Sequence, residues 1–307
     1  MTDEIRGCIY CLEDCAEKGV PGIGRCCTVN PFAGLEYLWK VSPASEKKKV
    51  IVIGGGPSGM QAAITADQRR HEVELWEQNQ LGGQARLASI APFKEEVAEV
   101  LRYLKHCIDN SGVKLRLGYR AKADDIVSLD PDVVIVATGS REGSPNIPGI
   151  GSDLVVFARE IYEQNYDLGK RIVIIGGGDI GCETADWLAT PDRQVSIVEI
   201  LPQVLSKMKK IPKERLLSRL SEKRVKIFAE THAISIEKNR INLRRKDGEE
   251  FFIEADKVIV AIQPEPEDSL LHELKDKVKD VIAVGDAKMP GNIGSALRSA
   301  MEAALVI

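Results

Sequence analysis

One stretch of this chain occurs twice. Ile51-Val52-Ile53-Gly54-Gly55-Gly56 recurs as Val173-Ile174-Ile175-Gly176-Gly177-Gly178. In each copy a short apolar run reads as a buried strand, the glycines follow at once, and a helical pattern opens after them. Both copies complete the spacing Gly-x-Gly-x-x-Gly, as Gly54, Gly56 and Gly59 and as Gly176, Gly178 and Gly181. The first glycine makes the tight turn, the second lets backbone approach a pyrophosphate, and the third lets helix pack on strand. The helix N-terminus then attracts the phosphate charge. An acid is required near the end of the second strand to hold a ribose hydroxyl. Glu77 and Glu199 stand there, and the spacings 54 to 77 and 176 to 199 are equal. A lone glycine motif is often no more than a turn. Two copies with strand, helix and acid in place imply two nucleotide sites. Pro57, Ser58 and Gln78 join the first set of candidate contacts, and Asp179 and Ile180 the second.

The rest of the chain keeps the same rhythm. Strands are predicted at Val50–Ile53, Val73–Glu77, Lys114–Leu117 and Val133–Thr138, with helices at Ser58–Arg69 and Phe93–Asn110. A second series has strands at Arg171–Ile175, Gln194–Glu199, Val225–Phe228 and Lys257–Ala261, with helices at Ile180–Ala189 and Lys213–Lys223. The polar alternation from Thr231 to Ile253, turning at Lys246–Glu249, reads as an antiparallel meander. One more strand, Val281–Val284, precedes a helix at Ile293–Leu305. The fold class is therefore α/β with two Rossmann-like units, the second inserted in the first. The expected domains are a loop-rich segment 1–46, a first nucleotide unit 47–145 with 265–307, and a second unit 146–264.

Composition excludes several classes. A net charge of −4 over 307 residues does not suit a nucleic-acid binder. The longest apolar runs are far too short to span a bilayer. The start lacks the basic-then-apolar pattern of a signal peptide, so a cytoplasmic location is expected.

Five of the seven cysteines fall between Cys8 and Cys27. In a reducing compartment such a cluster points to metal rather than disulfides. Cys8, Cys11 and Cys15 can close around an iron–sulfur cluster with one distant fourth thiolate, either Cys27 or Cys26. Zinc is the competing reading, although its structural sites usually pair two Cys-x-x-Cys hooks. Cys107 and Cys182 fall in helical patterns and read as packing residues. Three fragments suit a flavin: Gly83-Gln84, Ala137-Thr138-Gly139 at a strand end, and Gly285-Asp286, whose carboxylate suits a ribityl hydroxyl. The helix after Asp286 would aim its N-terminus at the ring. Neither nucleotide unit carries a redox Cys-x-x-Cys, which argues against disulfide reduction. Glu199 favours NADH over NADPH, because a carboxylate repels a 2′-phosphate. Lys207, Lys209, Lys210 and Lys213 follow it; they could tolerate a 2′-phosphate, but a solvated basic face is the preferred reading.

Cys8-Ile-Tyr-Cys11, Cys15 and Cys27-Thr-Val-Asn30-Pro31, followed by the triple-glycine motif, Gly-Gly-Gln and Ala-Thr-Gly, resemble the C-terminal half of the 2,4-dienoyl-CoA reductase group. That group includes 2-enoate reductase and, more distantly, trimethylamine dehydrogenase. The resemblance covers nearly the whole chain. It implies a [4Fe–4S] cluster on Cys8, Cys11, Cys15 and Cys27, FAD in the first unit and the nicotinamide nucleotide in the second. It further implies an FMN-containing TIM-barrel flavoprotein as the next carrier, either a separate subunit or a missing N-terminal domain, and an oligomer is expected. Pro21, Ile23 and Phe32 are candidate contacts to that barrel; packing onto the chain's own first unit is the alternative. By matching position Glu183 approaches the nicotinamide; an ordinary helix-surface glutamate is the alternative. One departure is Ile262-Gln263-Pro264, which replaces the glycine-containing turn usual after the second unit's last strand. Alternatives to an electron-transfer subunit are a self-sufficient NADH-dependent reductase and a scaffold whose second site holds only ADP.

Overall fold

The computed structural model describes residues 2–16 and 24–307, so Pro21 and Ile23 lie outside the described residues. After a short 3-10 turn and a loop-rich stretch come β1 (Lys49–Ile53), α1 (Pro57–Gln68), β2 (Glu72–Glu77), α2 (Ala85–Ala88) and α3 (Ala98–Asp109). β3 (Lys114–Leu117), α4 (Ala123–Ser128), β4 (Val133–Val136) and β5 (Ser140–Arg141) follow. Next are β6 (Val155–Phe157), α5 (Ala158–Glu163), β7 (Arg171–Ile175), α6 (Asp179–Leu188), β8 (Gln194–Val198), α7 (Lys210–Glu222) and β9 (Lys226–Phe228). Three antiparallel strands, β10 (Thr231–Glu237), β11 (Arg240–Arg245) and β12 (Glu250–Glu254), lead to β13 (Lys257–Val260). The chain closes with β14 (Glu265–Pro266), α8 (Ser269–Leu274), β15 (Asp280–Ala283) and α9 (Ile293–Val306).

These elements form two compact units: Met1–Ser89 with Lys94–Arg141 and Glu265–Ile307, and Ile90–Phe93 with Glu142–Pro264. The first unit is built on a five-stranded parallel sheet in the order β15-β4-β1-β2-β3. Its central strand is apolar on both faces because helices cover both, as a parallel sheet requires. Val52 lies beside Leu75 on one flank and Ile135 on the other, and all three are fully buried. On one face α1 runs between α3 and α9. Its Ala62, Ala63 and Ala66 are small enough to let α9 approach through Ala300 and Ala304. α3 buries Val100, Leu101, Leu104 and Ile108, the stripe that helical periodicity places on one side.

The second unit repeats the plan in the order β6-β13-β7-β8-β9. Ile174 lies between Ile197 and Ile259, all fully buried. Truncating Ile174 to alanine is expected to cost about 2–5 kcal/mol.

Some expected boundaries move. The helix expected from Phe93 begins at Ala98, because Phe93 sits in the left-handed region at φ 63° and a 3-10 turn, Glu95–Val97, intervenes. β4 stops at Val136, so Ala137-Thr138-Gly139 forms a turn beyond the strand rather than its last residues. β6, three residues long, and the short helices α4, α5 and α8 carry too little periodicity to be read from sequence.

Candidate functional site: two glycine cradles and a cysteine segment

The first site gathers fragments that are far apart in the chain. Gly54 has φ 106°, and a side chain there would strike the Ala137 carbonyl. A side chain on Gly59 would strike the Gly54 carbonyl oxygen, so α1 packs against β1 only because the residue is glycine. The Glu77 carboxylate accepts from Gly55 N (2.7 Å) through one oxygen and from Asn79 N (2.7 Å) through the other. Gly82 N donates to the Gly55 carbonyl at 2.8 Å. That bond lays Gly83 over Gly56, where an added Cβ would come within 2.9 Å of the Gly56 Cα. Gln84 Nε2 donates to the Ser140 hydroxyl at 2.9 Å, and that hydroxyl donates to Asp286 Oδ2 at 3.2 Å. Gly285, at φ 59°, packs on Ser58, and Asp286 Oδ1 accepts from Gly291 N at 3.0 Å. The Thr138 hydroxyl is tied to the Glu267 carbonyl. The structure thus brings together Gly54, Gly56, Pro57, Ser58, Gly59, Glu77, Gly83, Gln84, Ala137, Thr138, Gly139, Gly285 and Asp286. Gln78 is exposed at the rim, beside Glu77. Ser140, the hub between Gln84 and Asp286, was missed; only the fold reveals it.

The second site repeats these contacts almost atom for atom. Gly176 has φ 109° and faces the Ala261 carbonyl, and Gly181 packs on the Gly176 carbonyl oxygen. Glu199 accepts from Gly177 N at 2.6 Å and from Leu201 N at 2.8 Å. Leu205 N donates to the Gly177 carbonyl at 2.7 Å, the counterpart of Gly82 on Gly55. The units differ at the middle glycine. Nothing lies within 4 Å of a Cβ built on Gly178, whereas Gly56 has Gly83 beside it. Asp179 and Ile180 are exposed at the start of α6, so the second cradle is open and the first is covered by its Gly82-Gly83 loop. At Gly178 the backbone is open to an approaching group, as a pyrophosphate needs.

Around the second cradle, Glu183 is half-buried on α6. Tyr162 stacks on Trp187 with ring centroids 4.7 Å apart, and its hydroxyl is 3.2 Å from that of Thr184. Burial pushes the Tyr162 phenol up to about 12. It does the same to the Cys182 thiol, which donates to the Gly177 carbonyl and is unsuited to thiolate chemistry. Lys207 Nζ donates to the Gln263 side chain at 3.2 Å, and Lys213 reaches Gln203 at 3.3 Å.

In the cysteine segment, all seven cysteines of the chain lie among the described residues and none is in a disulfide. Tyr10 and Leu12 have φ of 53° and 54°, curling the chain between Cys8 and Cys15, and Tyr10 N donates to Cys8 Sγ at 3.4 Å. Cys8 and Cys15 are exposed, while Cys11 and Cys27 are half-buried and pack on the first unit's core. Burial raises the Cys11 thiol; the Thr28 hydroxyl beside it partly offsets this. That hydroxyl is buried and has no other partner among the described residues. Cys26 is turned inward instead, its Sγ 3.9 Å from the Asp14 carbonyl and 3.8 Å from Arg298 Nη1. Among the described residues no three His, Cys, Asp or Glu converge as a single-ion site.

Two parallel sheets, each carrying a glycine cradle and a ribose-type carboxylate, define the class of α/β proteins with two dinucleotide sites. Residues 48–295 match the pyridine nucleotide-disulphide oxidoreductase family, and the chain belongs to it. It is 37% identical over 310 residues to the NADH oxidase of Thermoanaerobacter brockii, covering 98% of this chain and 48% of that one. It is 31% identical over 306 residues to the cinnamate reductase of Clostridium sporogenes, covering 98% and 46%. A solved 2-naphthoyl-CoA reductase, in complex with 2-naphthoyl-CoA, matches with a TM-score of 0.93 at 29% identity over 99% of this chain and 47% of its own. The chain therefore spans about half the length of the relatives it matches. The resemblance to the enoate-type reductase group is borne out. The family implies FAD and a nicotinamide nucleotide, and no helix among the described residues is long and apolar enough to cross a membrane.

Proposed function

We propose that this chain carries electrons from NADH through FAD to a [4Fe–4S] cluster and on to an FMN-containing TIM-barrel flavoprotein, in the reducing environment of the cytoplasm. The barrel is either a partner subunit or the rest of a longer chain. The observation that carries the reading is the pair of cradles with matched carboxylates, one covered and one open. A covered cradle suits a resident flavin; an open one suits a nucleotide that must come and go. Bound FAD supplies the bridge between two-electron and one-electron chemistry.

The residues do the holding. Gly54–Gly59 and the N-terminus of α1 receive the FAD pyrophosphate, Glu77 its ribose, and the Gln84–Ser140–Asp286 chain the ribityl and ring edge. Gly176–Gly181 and Glu199 do the same for NADH, with Glu183 on α6 as the proposed side chain toward the nicotinamide. Cys8, Cys11, Cys15 and Cys27 would hold the cluster, a donor set of four thiolates being the kind such a cluster takes. Each iron of a cubane takes its own thiolate, so the cysteines need not converge on a single point. The Thr28 hydroxyl, which has no partner but Cys11 among the described residues, would donate to it once Cys11 is a thiolate. The contacts of Cys26 with Asp14 and Arg298 support Cys27 rather than Cys26 as the fourth ligand.

Anaerobically purified protein should hold one FAD and four irons per chain, and NADH should bleach the flavin stoichiometrically. The partner is tested by co-purification and by turnover. If the isolated chain matches the native complex in NADH-driven reduction of an organic substrate, no barrel partner is needed. An unbleached flavin would leave only the scaffold role.

A further inference from the structure

Arg298 lies one and a half turns into α9, its side chain among the few buried charges of the first unit. Its Nη1 donates to Asp14 Oδ2 at 2.7 Å, and both side chains are at most 10% exposed. Cys26 is also buried, and its backbone N donates to the Asp14 carbonyl at 3.3 Å. Room for the Asp14 carboxylate exists because residue 294 is glycine; a Cβ there would collide with Asp14 Oδ2 and crowd the guanidinium at 3.2 Å. An ion pair this deep costs desolvation that its own attraction only roughly offsets, so it is weak evidence for stability as such. Its place in the chain points to another role. Asp14 precedes Cys15 and Cys26 precedes Cys27. In both pairs the first residue is buried against α9 and the second is more exposed.

We propose that Arg298 is a positioning residue for the cluster ligands. By gripping Asp14 and Cys26 it fixes the two chain segments that carry Cys15 and Cys27, and so sets the separation of those two thiolates. The inference rests on the cluster reading above. It goes beyond it by naming the part of the FAD-type unit that holds the ligand loop in register. Residues that orient ligands in this way typically change metal affinity about 10- to 100-fold when lost.

The test uses protein prepared anaerobically with its cofactors: the unmodified chain, Arg298→Lys, and a double variant, Asp14→Leu with Arg298→Met. The double variant removes both charges, which avoids stranding one of them and keeps the fold. The measurements are iron per FAD, the EPR g-values of the reduced cluster, and the decay of cluster absorbance under chelator. The double variant is expected to retain FAD while its cluster decays about 10- to 100-fold faster with altered g-values, and Arg298→Lys is expected to restore part of the lifetime. Unchanged decay and unchanged g-values in the double variant would overturn the proposal. So would loss of FAD in proportion to iron, which marks a general role in packing α9. If the unmodified chain takes up FAD but no iron, the cluster reading itself fails, and that result is distinct from either.

Discussion

The open second cradle invites a substitution that separates binding from stability. Gly178 has φ −73° and ψ −171°, a conformation any residue adopts, and an added Cβ meets no atom within 4 Å. Alanine there loses a little as an N-cap but gains from a less flexible unfolded chain, so Gly178→Ala should change stability by no more than about 1 kcal/mol. For a domain of this size that is a Tm shift within about 4 °C. On the proposed reading, the same methyl group stands where a pyrophosphate would approach the backbone. Each charge-assisted hydrogen bond lost is worth about 1.5–3 kcal/mol, or roughly 10- to 150-fold in Kd. Gly181→Ala is the contrasting control. Its Cβ falls on the Gly176 carbonyl oxygen, so it should destabilise the protein by roughly 1–3 kcal/mol. The assay pairs thermal unfolding with stopped-flow flavin reduction across NADH concentrations. A Gly178→Ala protein that reduces its flavin with the original NADH dependence would refute the reasoning, as would one that unfolds many degrees earlier.

Cys27→Ser should abolish iron incorporation whereas Cys26→Ser keeps it, measured as iron and sulfide per chain; the reverse pattern would reassign the fourth ligand. On the proposed assignment of Glu199 to the ribose, NADH should outperform NADPH at least about tenfold in flavin reduction; parity would credit the lysines after it. Asp256 accepts from the Arg171 guanidinium and from the backbone N–H groups of Arg171 and Lys170, and these hold its carboxyl well below the usual range. A depressed folded pKa means stabilisation that is complete above the unfolded value and fades as pH falls below about 4. The Tm gap between the unmodified protein and Asp256→Asn should therefore be widest near neutrality and shrink below about pH 4; a constant gap would contradict the assignment.

The glycine cradles were legible because each demand is local. A strand ends, the backbone must turn into φ near 106° or 109°, and a helix must start within van der Waals reach of that turn. Only glycine meets all of this at 54 and 59 or at 176 and 181, so the spacing itself carries the geometry. Glu77 and Glu199 were legible for the same reason, although both proved to be tied to the glycine loop's own N–H groups as well. Ser140 was not legible, since its partners lie 56 and 146 residues away. The ion pair of Asp14 with Arg298 spans 284 residues and looks in sequence like two unrelated surface charges. The helix start before Ala98 was misplaced because Phe93 fits an amphipathic stripe but takes a left-handed backbone.

The first sheet takes its outer strand β15 from near the end of the chain, pairing Asp280–Ala283 with Val133–Val136. During synthesis, therefore, residues 47–141 emerge with β4 presenting an unpaired edge, and that edge waits while more than a hundred further residues are made. The second unit, all of whose strands fall between Glu142 and Pro264, can complete its sheet in that interval. Gly285 and Asp286 come later still, so the first cradle gains its Ser58 and Ser140 contacts only after the insert has been translated. Long-range pairing of this kind is slow, and the waiting edge is open to mispairing with other chains. A stalled or truncated nascent chain would thus carry a finished second unit and an aggregation-prone first one.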